Sequence, residues 1–151
     1  MKRNTIITAI IGLLLTIPAF GQEGSRDELI TRTVLNYAEG WYEGDAAKME
    51  SSLHPDLAKR TIETSPQGRS RINELSALGL VQLTRPGYGK KTPKAEQTKD
   101  VKILDVFDEM ATVRLEMRDW IDYMHLAKFN GKWVIVNVLW KSKPAKADGG
   151  S

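Results

Sequence analysis

The sequence predicts an α+β domain with its helices packed on one face of a curved antiparallel sheet. Three observations carry this prediction. Helix-type spacing of apolar residues begins just after Ser25, and strand-type runs rich in β-branched and aromatic residues fill the chain from Val101 to Trp140. Within those runs Asn130-Gly131 is a strong hairpin signal. Helices first and a strand meander after them argue for segregated layers around one core.

Residues 1–21 stand apart from that fold. Lys2 and Arg3 precede an apolar run from Ile6 to Ile17, and Ala19-Phe20-Gly21 offers small residues just before Gln22. That is the layout of a cleaved secretory signal peptide. A retained anchor would need about 20 apolar residues, and this run is shorter. The expectation is a bacterial exported protein, periplasmic or secreted, with no membrane attachment after cleavage. Residues 22–141 are then one domain and residues 142–151 a polar, Gly-rich disordered tail.

Ser25 and Glu28 match a capping box, and Ile30, Val34, Tyr37, Ala38 and Trp41 form one helical stripe. Gly44 suits the left-handed stop, and Asp45 suits the cap of a second helix running to about Leu53. His54 would sit in its last turn, with Pro55 ending it. A short strand over Lys59–Thr64 and a turn at Pro66-Gln67-Gly68 follow. The spacing then predicts a helix over Arg71–Leu83, with Ile72, Leu75, Leu78 and Leu83 inward. Thr84–Lys99 reads as a long basic loop. Strands are predicted over Val101–Phe107, Ala111–Trp120, Ile121–Phe129 and Trp133–Trp140, with Asp108-Glu109 and Asn130-Gly131 as turns.

Composition excludes several functions. Of 22 Lys and Arg residues, Lys2 and Arg3 leave with the leader, so 20 face 19 acids in the mature chain. Nothing in that balance favours nucleic acid. With no cysteine there is no thiolate nucleophile, no thiolate metal site and no lipidated cysteine. The two histidines, His54 and His125, have no clustered carboxylates, so neither a metal site nor a cofactor is expected.

The Tyr37–Trp41 helix, the Gly44-Asp45 elbow, the Leu53-His54-Pro55-Asp56 exit and the paired strands Asp122–Leu126 and Gly131–Asn137 together resemble the nuclear transport factor 2-like superfamily. Within it the chain is similar to the exported Putative lumazine-binding and polyketide-cyclase-like proteins. The resemblance implies a cone, with a strongly curved antiparallel sheet around the long helix and an internal cavity. It includes cyclase-like enzymes, isomerases and dehydratases, so the fold alone names no reaction.

Tyr37, Trp41, Tyr123 and His125 are the candidate ligand-binding residues, facing one another across the cavity. The competing reading makes the aromatics core and His125 a surface histidine. If the protein is an enzyme, His125 is the candidate general base, helped by Tyr123 or a strand carboxylate. Asp122 falls on the opposite strand face from His125, which argues against a direct dyad. The expected function is binding of an unknown small molecule, flat or apolar, without chemistry. The alternatives are a cyclase, isomerase or dehydratase using His125, or a homodimer through the outer sheet face.

Overall fold

The computed structural model describes residues 24–144; the leader read in residues 1–21 and tail residues 145–151 lie outside the described residues. Helix α1 (Arg26–Glu43) opens on the expected box: the Glu28 N–H donates to Ser25 Oγ, and the Ser25 N–H donates to Glu28 Oε2 at 2.8 Å. Gly44 ends it at φ 62°. Asp45 then caps α2 (Ala46–Ser51) by accepting from the Lys48 N–H at 2.9 Å. Gly40 lets the two helices close, because a Cβ there would stand 2.8 Å from the Met49 nitrogen.

The chain enters strand β1 (Leu53–Thr64) directly after α2, so His54 caps no helix. Its Nδ1 accepts from the Asp56 N–H at 3.1 Å, and its ring meets Phe129 edge-on at 4.7 Å. Pro55 falls in a register break between Leu53 and Ala58, where its missing N–H interrupts no pairing. The predicted Arg71–Leu83 helix is two elements, β2 (Ser70–Ser76) and α3 (Ala77–Thr84). Ser76 ends the strand and caps the helix, accepting from the Gly79 N–H at 3.2 Å. Ile72 and Leu78, read as inward, are each 66 % exposed. Cross-strand pairing with β1, including Arg71 against Glu63 at 2.7 Å, outweighs the local helical spacing.

Strands β3 (Lys99–Phe107), β4 (Met110–Met117), β5 (Trp120–Phe129) and β6 (Lys132–Ser142) follow. Their hairpins turn at Asp108 (φ 50°) and at Asn130-Gly131 (φ 51° and 80°). Strand β6 runs past the predicted domain end, with Ser142 pairing to Trp120. The sheet order is β2-β1-β6-β5-β4-β3. It is antiparallel except for β1 and β6, which lie parallel, a departure from the all-antiparallel expectation. Register breaks in β1/β6, β3/β4 and β5/β6 bend it. On the inner face α1 sets Ile30, Val34, Tyr37 and Ala38 into one core with Val113, Leu115, Met124, Ile135 and Val138.

The Thr84–Lys99 segment is held down. Two short 3-10 turns, Tyr88–Lys91 and Lys94–Glu96, pack it against α1, and Gly89 lies directly on the Trp41 carbonyl. Tyr42 Oη donates to the Thr98 carbonyl and accepts from the Arg118 N–H, each at 3.0 Å.

Candidate functional site

Alternation along β1 turns Leu57, Lys59 and Thr61 inward, and alternation along β5 turns Asp122, Met124 and Leu126 inward. Lysine and aspartate thus reach the core from strands separated by β6. Lys59 Nζ donates to Asp122 Oδ1 at 2.6 Å and to Tyr37 Oη at 2.8 Å. Asp122 is fully buried and Lys59 is 6 % exposed.

Three tryptophans stand over this cluster. Trp41 of α1 meets Trp120 of β5 edge-on at 5.5 Å, and Trp120 meets Trp140 of β6 edge-on at 6.4 Å. Lys59 Nζ sits 4.9 Å from the Trp140 ring centre, within cation–π range. All three rings are half-buried, so they form the boundary between the polar cluster and solvent.

Burial pushes the Asp122 carboxyl up and the Lys59 amine down, and each opposes the shift of the other. Burial and the Asp122 charge both raise the Tyr37 phenol. Two polar atoms here have no hydrogen-bond partner, Asp122 Oδ2 and Trp120 Nε1. Trp120 and Tyr37, whose N–H and O–H approach the carboxylate, both favour its charged form against the effect of burial. Leaving such a group buried and unpaired costs about 1–3 kcal/mol. Neither atom is accessible to solvent.

Of the four predicted ligand-binding residues, two meet. Tyr37 is in the cluster and Trp41 is on its rim. Tyr123 and His125 point the other way: both are exposed on the outer sheet face. Asn137 Nδ2 lies 3.2 Å from His125 Nδ1 there. The facing arrangement is therefore corrected by the parity of β5, which sends Asp122 in and its neighbours out. The same parity removes the interior setting that a His125 general base requires. Arg114, Glu116 and Lys143 form a charged outer row, Glu116 accepting from Arg114 at 2.7 Å and pairing with Lys143 at 2.6 Å. No group of three His, Cys, Asp or Glu side chains suited to a metal occurs among the described residues.

Sequence reasoning missed Lys59. A signal for it existed: Leu57 and Thr61 share its parity, so an inward Leu57 brings Lys59 inward and obliges it to find a buried carboxylate.

Solved structures with this shape come from several bacteria. An NTF2-like protein of unknown function from Shewanella baltica is 17 % identical with a TM-score of 0.64, covering 79 % of this chain and 94 % of its own. An NTF2-like protein with a cystatin-like fold from Novosphingobium aromaticivorans is 13 % identical at a TM-score of 0.56, covering 83 % and 84 %. A ketosteroid isomerase-like protein from Erwinia carotovora is 10 % identical at 0.51, covering 78 % and 96 %. At these identities the likeness speaks for the fold. No curated protein matches the chain. The family model described as Putative lumazine-binding matches residues 25–141, nearly the whole described domain, and the chain, whose fold is that of the NTF2-like structures, belongs to that family.

Proposed function

We propose that this chain is a binding domain for a small flat molecule, taken up at the tryptophan-rimmed end of the bent sheet. The observation that carries this is the pair of buried, unpartnered polar atoms, Asp122 Oδ2 and Trp120 Nε1, beneath rings that are themselves half exposed. A ligand that moves those rings aside gains stacking area and satisfies both atoms. The family description points the same way, since lumazine is a flat heterocycle. Binding without chemistry suits a site in which Lys59 and Asp122 are engaged with each other.

Titrating residues 22–151 with a panel of flat heterocycles, lumazine included, tests this. A rise in Tm together with a change in tryptophan emission is expected for at least one class, and Trp41→Ala should weaken it. If no compound shifts either signal, the reading fails.

A second proposal concerns the outer sheet face, where Ile62, Tyr123 and Leu139 are each about half exposed and, with Ile121, line a groove of about 410 Å³. An apolar surface of this kind supports the homodimer. Export through residues 1–21 completes the proposal and places the domain in the periplasm or outside the cell.

A further inference from the structure

The outer face of α3 and the basic turn after it form a surface that neither the core nor the tryptophan-rimmed site uses. Burial of Ala77, Leu80, Val81 and Thr84 fixes one side of α3 and turns Leu78, Gln82 and Leu83 outward. A surface helix ordinarily presents polar residues to water, whereas this one is apolar on both sides. Leu78, Leu83 and, from the following turn, Tyr88 are each about half exposed or more. The platform is rigid: the Gly87 N–H donates to the Thr84 carbonyl at 2.9 Å, the Lys90 N–H to the Gly87 carbonyl at 3.1 Å, and Gly89 sits on the Trp41 carbonyl. Binding there orders little that is not already ordered.

Positive charge is concentrated in the same stretch. Thr84–Lys99 holds five basic residues against the single acid Glu96, while the rest of residues 22–151 holds 15 against 18. Glu96 is engaged by Arg118 at 2.9 Å, and Lys99 by Glu39 at 2.8 Å. Arg85, Lys90, Lys91 and Lys94 are exposed and pair with no carboxylate among the described residues. Lys90 has a structural role as well: its stem lies against Gly44 and Gly87 and brings a cation to the end of α1, whose last turn has none. Lys91 Nζ stands 5.8 Å from the Tyr88 ring centre, so cation and ring share one edge. Glu50, which lines a shallow groove with Leu78, marks the acidic limit of the patch.

We infer that this face docks on a bilayer surface containing anionic phospholipid, with Leu78, Leu83 and Tyr88 entering the interface and Arg85, Lys91 and Lys94 meeting the phosphates. Exposed apolar side chains beside unpaired cations match anionic headgroups lying over acyl chains. A polyanion such as nucleic acid would use the cations and leave the leucines in water. No helix among the described residues is long and apolar enough to cross a membrane, so the contact is peripheral. It is independent of the small-molecule site and runs against the expectation of no membrane contact after leader cleavage.

Co-sedimentation of residues 22–151 with lipid vesicles tests this, using phosphatidylcholine alone and phosphatidylcholine with phosphatidylglycerol in about equal parts. Binding to the mixed vesicles, none to phosphatidylcholine alone, and release at about 0.5 M salt are expected. Lys94→Gln should weaken partitioning by about fivefold, and Lys91→Gln added to it by about fivefold more. Leu78→Gln should weaken it by about tenfold while leaving retention on heparin unchanged. All three positions are exposed, and an unchanged Tm for each variant checks that the fold is intact. Absence of binding to mixed vesicles at low salt overturns the proposal, as does equal binding to both compositions. Sensitivity to the lysine variants with no effect of Leu78→Gln would mark a general polyanion surface and overturn the lipid assignment.

Discussion

Lys59 is the residue on which the interior depends. Replacing it with methionine leaves Asp122 buried without its cation, and the expected cost is about 3–5 kcal/mol in urea unfolding. Lys59→Met combined with Asp122→Leu should regain most of that loss, because an apolar pair needs no compensation in the core. The single variant also carries a pH signature. Burial raises Asp122, and the Lys59 charge that opposes the rise is gone. The native state of the variant then holds a proton that the unfolded chain has released, so stability grows as pH falls from neutral toward the ordinary aspartate value of about 3.9. Stability of Lys59→Met that is flat or rising with pH across that window would contradict the assignment. Tyr37 and Trp41 were legible in the sequence because a helical stripe of apolar residues fixes their face. Lys59 was not, since a Lys-Arg pair in a polar stretch reads as solvated surface until the strand's parity is known.

At the scale of elements, the helix and the four C-terminal strands follow from local signals: a capping box, a left-handed glycine and two tight turns. The stretch from Ser70 to Thr84 defeats the same reasoning. Ile72, Leu75 and Leu78 happen to fall at helical spacing, and only pairing with β1 makes the first half a strand. The 84–99 segment is likewise held by something the sequence hides, the close seating of Gly89 on the Trp41 carbonyl. Gly89→Ala forces these apart, and an expected destabilisation of about 1–3 kcal/mol should accompany a red shift in tryptophan emission as Trp41 is exposed. Thermal unfolding followed by fluorescence measures both. An unchanged Tm would show that the turn moves freely with respect to α1.

For the whole molecule, the α+β fold and its family were legible, while the contents of the cone depended on strand parity and on the parallel β1/β6 pairing. The outer face follows from the same parity, since Tyr123 and Leu139 leave the core to Asp122, Val138 and Trp140. Light scattering of residues 22–151 should give twice the chain mass, and Leu139→Lys should give one, with the Tm of the inner core little changed. A wild-type monomer at high concentration would remove the homodimer.

The parallel pairing of β1 with β6 also sets when the site comes into being. The two strands belong to opposite ends of the domain, joined through everything between them, and long-range pairing of this kind closes late because the loop entropy must be met first. Lys59 travels with the early strand, and Asp122 and Trp140 with the late hairpin. A chain that has folded its helices and its C-terminal meander therefore holds Trp120, Asp122 and Trp140 together but lacks Lys59. Recognition is withheld until the last seam of the sheet is sewn.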